Sequence, residues 1–191
     1  MRIGKFLYRY RSLSPLPLVI FLLIFAVPSV MTILLGIIVS IIGEFIRFIS
    51  VSYTGSTTRS KNIQCNSLVT NGPYGYLRNP IYFGNFFLSL GIVISANTFF
   101  PWFVFLFIVL FSVQYFFIIR FEEEFLRERF GKSYERYVNN VPSFFPRFSP
   151  YLEGNNSKPA LKKTFRSEKT TFTIVTLLYI IIVFIYFLKR L

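Results

Sequence analysis

The chain has 191 residues, of which 53% are hydrophobic and 20% aromatic, and its 21 basic and 8 acidic side chains give a net charge of +13. Charged residues make up 15% of the chain, against ~25% in a soluble domain. This composition excludes a disordered chain, and the single cysteine excludes an internal disulfide. Because histidine and aspartate are both absent, Ser-His-Asp triads, His-bound zinc and Asp-bound Mg²⁺ are excluded as well, and no metal ion is expected.

Five apolar stretches predict membrane-spanning helices. Residues 16–43 carry no charge and as one helix would be ~42 Å long, against ~30 Å of hydrocarbon. Pro28 lies near the middle of this stretch and should break it. A hairpin is therefore predicted, with a single tilted helix as the alternative. The predicted spans are residues 13–27, 29–51, 81–96, 99–119 and 172–188.

The basic residues indicate the orientation of these spans. They lie within residues 1–12, 44–80 and 120–169, whereas the turns around Pro28 and at 97–101 carry none. With the hairpin, all of these basic segments lie on one side of the membrane, which the positive-inside rule places in the cytoplasm. Lys189 and Arg190 are the exception. The chain is thus predicted to be an all-α integral membrane protein with about five transmembrane helices. Its basic loops suit anionic lipid head groups and not nucleic acid.

The predicted organisation has four parts. Residues 1–53 form a basic N-terminal segment and a transmembrane hairpin, and residues 54–149 form a core with two spans. A cytoplasmic amphipathic helical segment is expected within this core, after span four. Residues 150–170 are polar and are predicted to be a linker. Residues 171–191 form the last transmembrane helix.

The loop before the third span carries the first motif. Pro80 suits the first position of a helix, so the third span is predicted to begin there. Its free N–H groups, with Arg78 beside them, form a site for an anion. Three tyrosines supply aromatic faces near it, namely Tyr74, Tyr76 and Tyr82. An anion site beside aromatic rings fits a nucleoside-bearing cofactor, and the alternative is an ordinary interfacial belt of Tyr and Arg.

Three successive carboxylates, Glu122 to Glu124, follow the fourth span. They repel one another and would be stabilised by a cation, either a bound sulfonium or ammonium or the side chain of Arg78. The alternative is an amphipathic helix on the bilayer surface, stabilised by the i,i+4 pairs Arg120–Glu124 and Glu123–Arg127.

Together the two motifs resemble those of the isoprenylcysteine carboxyl methyltransferase and phospholipid methyltransferase superfamily. The first motif contains Leu68-Val69-Thr70, Gly72-Pro73-Tyr74 and Arg78-x-Pro80-x-Tyr82-x-Gly84. The second contains paired Glu before Leu126, then Phe130-Gly131, Tyr134, Tyr137 and Val141-Pro142. The resemblance covers roughly residues 44–148.

The resemblance implies an integral-membrane methyltransferase that uses S-adenosylmethionine without a Rossmann domain. The acceptor would be lipophilic: the carboxylate of a prenylcysteine-like or other hydrophobic molecule, or a lipid amine. Arg78, Glu122 and Glu123 would be catalytic, and Arg120 would contact the substrate. Asn79 replaces a histidine that is frequent in the family. The implied cofactor-binding residues are Asn66, Ser67, Leu68, Val69, Tyr74, Asn79, Pro80, Ile81, Tyr82, and Glu122 or Glu123.

Two other functions are compatible with the same residues. Sterol- and steroid-type reductases that use NADPH share a similar Arg-His-Pro-x-Tyr-x-Gly core, usually followed by an acidic residue, whereas Asn85 follows Gly84 here. A membrane scaffold without catalytic activity is the third alternative, because aromatic residues more often pack than react.

Overall fold

A computed structural model describes residues 2–54, 67–153 and 157–190. These parts of the chain contain helices and no strand, which confirms the predicted all-α class. The helices are α1 (Arg2–Tyr10), α2 (Leu16–Ile24), α3 (Val30–Thr54), α4 (Pro80–Ala96), α5 (Trp102–Phe130), α6 (Lys132–Asn140) and α7 (Leu161–Leu188), and a 3₁₀ turn covers Gly72–Gly75.

Three helices are long and apolar enough to cross a membrane, namely α3, α5 and α7. Helix α4 has 17 residues, which gives ~25 Å, and it is also apolar. Helix α2 has nine residues, or ~13 Å, much less than the ~30 Å of hydrocarbon. The structure therefore supports an integral membrane protein with three candidate spans and a shorter apolar helix, and the count of five spans stays a prediction.

The predicted break at Pro28 is present. Helix α2 ends at Ile24, α3 begins at Val30, and Ser29 caps α3 by accepting a hydrogen bond from the Thr32 N–H at 3.2 Å. Val27 N–H donates to the Ala96 carbonyl at 2.9 Å, so this turn lies against the end of α4. Lys189 Nζ donates to the Ala26 carbonyl at 2.7 Å. The two uncharged turns and the end of α7 thus lie together at one end of the bundle.

Helices α3 and α4 run antiparallel with their backbones in contact. A Cβ atom on Gly91 would lie 2.3 Å from the Gly36 carbonyl oxygen, and one on Gly43 would lie 2.2 Å from the Leu88 nitrogen. Ser40 also donates across the interface to the Leu88 carbonyl at 2.9 Å. Small residues of this kind let membrane helices approach closely, and the contact positions the N-terminus of α4.

Helix α7 begins at Leu161, so residues 161–170, which were predicted as linker, are helical. These residues extend α7 because they make a polar contact with α3, and the sequence pattern does not reveal this contact. Glu168 is buried and forms an ion pair with Arg47, which also bonds Glu44 at 3.2 Å. Farther along, the Tyr179 hydroxyl lies 2.7 Å from Ser40 Oγ. These contacts hold the first two thirds of α7 against α3.

The glutamate-rich segment is the continuation of α5. Nothing between Trp102 and Phe130 breaks the helix, and it ends where Gly131 takes a positive φ of 50°. Only α6 is a separate helix in this region. The expected segment after span four thus consists of the last turns of α5 and the short α6. The basic N-terminal residues, for which no helix was predicted, form α1.

Replacing Gly91 with Leu should destabilise the protein, because the new side chain cannot fit between the backbones of α3 and α4. Overpacking costs about 1–3 kcal/mol or more, which lowers the melting temperature by about 5 °C or more. Thermal unfolding in nanodiscs measures this. Val30→Leu is the control, since Val30 is 54% exposed, and equal melting temperatures for the two variants would contradict the packing argument.

Candidate active site

The loop of residues 67–79 lies on the ends of α5 and α6, at the end of the bundle opposite the two uncharged turns. Arg78 N–H donates to the Pro142 carbonyl at 2.9 Å, and Tyr151 N–H donates to the Gly75 carbonyl at 2.9 Å. The Tyr137 hydroxyl donates to the Tyr74 carbonyl at 2.7 Å. Burial raises the pKa of Tyr137 above its usual range, so the phenol keeps this proton. The two sequence motifs therefore meet in space.

Arg78 is the central connection between these segments. Its Nε donates to Glu123 Oε1 at 3.0 Å, and Nη2 forms an ion pair with the same oxygen at 3.0 Å. Its Nη1 donates to the carbonyls of Val138 and Val141 at 3.0 and 2.9 Å. Arg78 is thus the cation that stabilises Glu123, as one sequence alternative predicted. In this structure it joins the loop to α5 and α6.

Asn79 extends the same network. Its Nδ2 donates to the carbonyl and the hydroxyl of Ser143 at 3.0 and 3.1 Å, and it lies 3.5 Å from Glu123 Oε1. Ser143 Oγ is 3.4 Å from the same carboxylate oxygen. The amide of Asn79 donates these hydrogen bonds without a change of charge. It is therefore suited to a structural connection at this position.

Glu122 faces a different part of the protein from Glu123. Its carboxylate interacts with the Tyr82 hydroxyl. The Tyr82 ring is 9% exposed and packs against Tyr115, with ring centroids 4.8 Å apart. Neighbouring positions on a helix differ by about 100° in direction, so the two glutamates are separated: Glu123 joins the loop network and Glu122 joins an aromatic cluster between α4 and α5.

A cavity of about 330 Å³ opens beside the loop. This volume is at the small end for ligand pockets. One predicted cofactor residue, Leu68, contributes to its wall. The full lining consists of Leu68, Thr70, Phe130, Ser133, Tyr137, Tyr151 and Glu153. Tyr137 had been noted only as part of the second motif. Tyr151 and Glu153 carried no signal in the sequence, because they reach the site only through the backbone pairing of Tyr151 with Gly75.

The other predicted residues are distributed around this site. Asn66 lies outside the described residues, Ser67 is exposed, and Val69 and Ile81 are half-buried. Tyr74 and Tyr82 are buried, and Tyr76 is 39% exposed. Pro80 is the first residue of α4, as predicted. Arg120 is exposed, with its guanidinium 4.7 Å from the centroid of the Phe116 ring.

The sequence matches the family model for phospholipid methyltransferases over residues 31–133. The matched region contains α3, α4, α5 and the loop between α3 and α4. The chain belongs to the phospholipid methyltransferase family. This finding confirms the resemblance on which the site residues were chosen.

Relatives of this phospholipid methyltransferase family member include two proteins named as methyltransferases. The chain is 32% identical over 111 residues to protein-S-isoprenylcysteine O-methyltransferase of Schizosaccharomyces pombe, covering 55% of this chain and 45% of the relative. It is 34% identical over 120 residues to the protein of the same name from Dictyostelium discoideum, covering 58% and 48%.

A third relative has a different name. The cobalt-zinc-cadmium resistance protein CzcN of Cupriavidus metallidurans is 35% identical over 86 residues, covering 45% of this chain and 38% of the relative. The chain thus spans less than half the length of each relative that it matches. No solved structure gives a significant match.

The cavity residues suit the cofactor that such a methyltransferase generally uses. Phe130, Tyr137 and Tyr151 offer aromatic faces for an adenine, and Thr70 and Ser133 offer hydroxyls for a ribose. Glu153 offers a carboxylate for a cationic group. Asn71, next to Thr70 in the chain, has a buried Oδ1 without a hydrogen-bond partner among the described residues. The residues present therefore fit S-adenosylmethionine.

Replacing Arg78 with Ala should detach α6 from the loop and abolish methyl transfer. The substitution leaves the Glu123 carboxylate and two carbonyls without their donor, and Arg78→Lys should not restore activity, because an ammonium cannot reproduce the planar fork. Hydrogen exchange of residues 136–143 and transfer of labelled methyl groups to native membranes measure the two effects. Arg136→Ala is the control, since Arg136 is exposed on α6. Full activity in Arg78→Ala would refute this role.

Proposed function

We propose that the protein transfers the methyl group of S-adenosylmethionine to a lipophilic acceptor at the cytoplasmic face of a membrane. The observation that carries the proposal is that the family match contains the loop, and that Arg78 joins this loop to Glu123 at the end of α5. The acceptor is the carboxylate of a prenylcysteine-like or other hydrophobic molecule, or a lipid amine. The names of the two methyltransferase relatives support this class of reaction.

The position of the site in the bundle supports a cytoplasmic location. The site lies at the end where the charged ends of α1, α5 and α7 are found, and the opposite end contains the two uncharged turns. Lys189 lies at the uncharged end. By the positive-inside rule the charged end faces the cytoplasm, and exposed Lys162 and Lys163 would contact anionic head groups there.

The chemistry is compatible with a chain that has no histidine. The cofactor, when bound, supplies an electrophilic methyl group. A carboxylate acceptor is already ionised and requires no base, so the protein must chiefly hold the acceptor at attack distance, which can contribute ~7–11 kcal/mol. The hydroxyls and aromatic rings of the cavity would bind and orient the cofactor. An apolar acceptor can reach the site from the bilayer, since the last turns of α5 leave the membrane beside it.

The two glutamates would have different tasks. Glu123 is bound to Arg78 and keeps the loop in place, so it acts by positioning. Glu122, which interacts with the Tyr82 hydroxyl, would contact the cationic end of the cofactor. With an amine acceptor it would also accept the proton of the nucleophile. Arg120, exposed beside Phe116, would contact an acceptor in the membrane.

Binding and transfer experiments test the proposal directly. Calorimetry of the protein in nanodiscs should detect S-adenosylmethionine and S-adenosylhomocysteine, and NADPH should give no heat. Tritiated methyl groups should then appear in a prenylated cysteine derivative, a long-chain carboxylate or phosphatidylethanolamine, and mass spectrometry of the product identifies the acceptor. Heat with NADPH and none with the two sulphur compounds would instead indicate the reductase alternative. Heat with none of the three would contradict the proposal.

Replacing Glu122 with Gln should lower the transfer rate about a hundredfold or more, which is the low end of the usual effect of losing a positioned charge or base. Glu128→Gln is the matched control, because Glu128 is exposed on the same helix. The rate is measured with the acceptor identified above. Equal rates in the two variants would show that Glu122 has no part in the reaction.

A further inference from the structure

A groove of about 600 Å³ lies between α3 and α7, with Leu88 of α4 in its wall. Two polar contacts attach α7 to α3 along this groove, the ion pair of Arg47 with Glu168 and the 2.7 Å contact between the Ser40 and Tyr179 hydroxyls. Between these contacts the two helices leave a gap. The wall that α7 provides lies outside residues 31–133, the region that matches the family model.

The groove is open on its outer side and its surface is largely apolar. Ile41 and Phe45 of α3 line it and are 63% and 64% exposed, and Val175 of α7 lies across from them. Since α3 and α7 are candidate membrane spans, the groove opens to hydrocarbon. An apolar gap that no atoms fill loses dispersion contacts along its whole lining. In a bilayer this groove therefore contains a hydrocarbon chain.

The length of the groove fits one lipid leaflet. Its lining on α3 extends over residues 37–48, which is ~16 Å, or about half of the ~30 Å of hydrocarbon. The Phe48 end faces the loop end of the bundle, because Tyr53, five residues farther along α3, lies against Gly72 of that loop. At this end Phe172 packs against Phe48 and Phe165, with ring centroids 6.3 and 5.8 Å apart. The groove thus suits one acyl chain of the leaflet on the loop side.

Two lysines stand beside the aromatic end of the groove. Lys162 and Lys169 alternate with Phe165 and Phe172 at positions i, i+3, i+7 and i+10, so the four residues form one stripe along α7. Phe165 and Phe172 line the groove, and both lysines are exposed.

The wall of the groove also contains a carboxylate, that of Glu44. Arg47 compensates its charge at 3.2 Å, and Arg47 is in turn paired with Glu168. The exposed charge beside the opening is therefore that of the two lysines. Basic pockets between membrane helices on the cytoplasmic side suit anionic lipid head groups.

We propose that the groove between α3 and α7 is a binding site for one anionic phospholipid of the leaflet on the loop side. One acyl chain lies between the two helices, and the phosphate contacts Lys162 and Lys169. The lipid fills the gap between the helices and helps to hold α7 against the bundle. The inference goes beyond the proposed function, and it holds whether or not the protein transfers methyl groups.

Lipid titrations followed by native mass spectrometry test the site. The full chain in detergent is titrated with phosphatidylglycerol, phosphatidylethanolamine or phosphatidylcholine that carry the same acyl chains. One phosphatidylglycerol should bind per chain, at least about tenfold more tightly than either other lipid, and Lys162→Gln and Lys169→Gln should each weaken it about fivefold. Lys163→Gln is the matched control, because Lys163 is exposed on another face of α7, and it should change the affinity less than about twofold.

A second pair of variants distinguishes a lipid held between the helices from one attracted by surface charge alone. Thr176→Trp places a large ring in the groove and should abolish the tight binding, whereas Leu177→Trp, at a position 52% exposed on another face of α7, should not. Equal affinity for the three lipids, or a preference for either uncharged head group, would overturn the proposal. Equal effects of Lys163→Gln and Lys169→Gln would also overturn it, as would unchanged binding in folded Thr176→Trp protein.

Discussion

The ion pair between Arg78 and Glu123 determines how the loop end of the helix bundle is assembled. It joins residues that are 45 positions apart in the chain, and the same guanidinium also bonds two carbonyls at the end of α6. Each of these acceptors is partly shielded from water, so loss of the donor would leave several unsatisfied groups at once. The backbone contact between α3 and α4 supports this arrangement, because it places the start of α4, and with it Arg78, beside the last turns of α5.

Two neighbouring glutamates illustrate how one helix can supply side chains to two different environments. Glu123 is held by a direct, multidentate arginine, which suits a structural connection. Glu122 instead interacts with the neutral hydroxyl of Tyr82. The difference follows from the ~100° that separates successive residues on a helix. One side chain faces the loop and α6, and the other faces α4 and α1.

Much of the fold and of the candidate site could be predicted from the sequence. The break at Pro28, the start of α4 at Pro80 and the helical class follow from proline chemistry and apolar runs. The motifs around Arg78 and Glu122 correctly indicated the family. The chain positions of the motifs did not show which glutamate binds Arg78, that Tyr151 and Glu153 line the cavity, or that α7 begins eleven residues before the predicted span. These features depend on which segments pack together, and no local pattern specifies that.

The sequence alone therefore determined the features that depend on neighbouring residues: where helices can begin and end, which of them are apolar, and the uneven distribution of charge between the two ends of the bundle. Only the tertiary structure decided the partners of the buried charges. Arg47 and Glu168 are 121 positions apart and belong to helices separated by three others, and Arg78 and Glu123 are 45 positions apart. Such pairs form because a charge in a low-dielectric interior must be compensated, and the available partner is set by the packing of helices and not by distance along the chain.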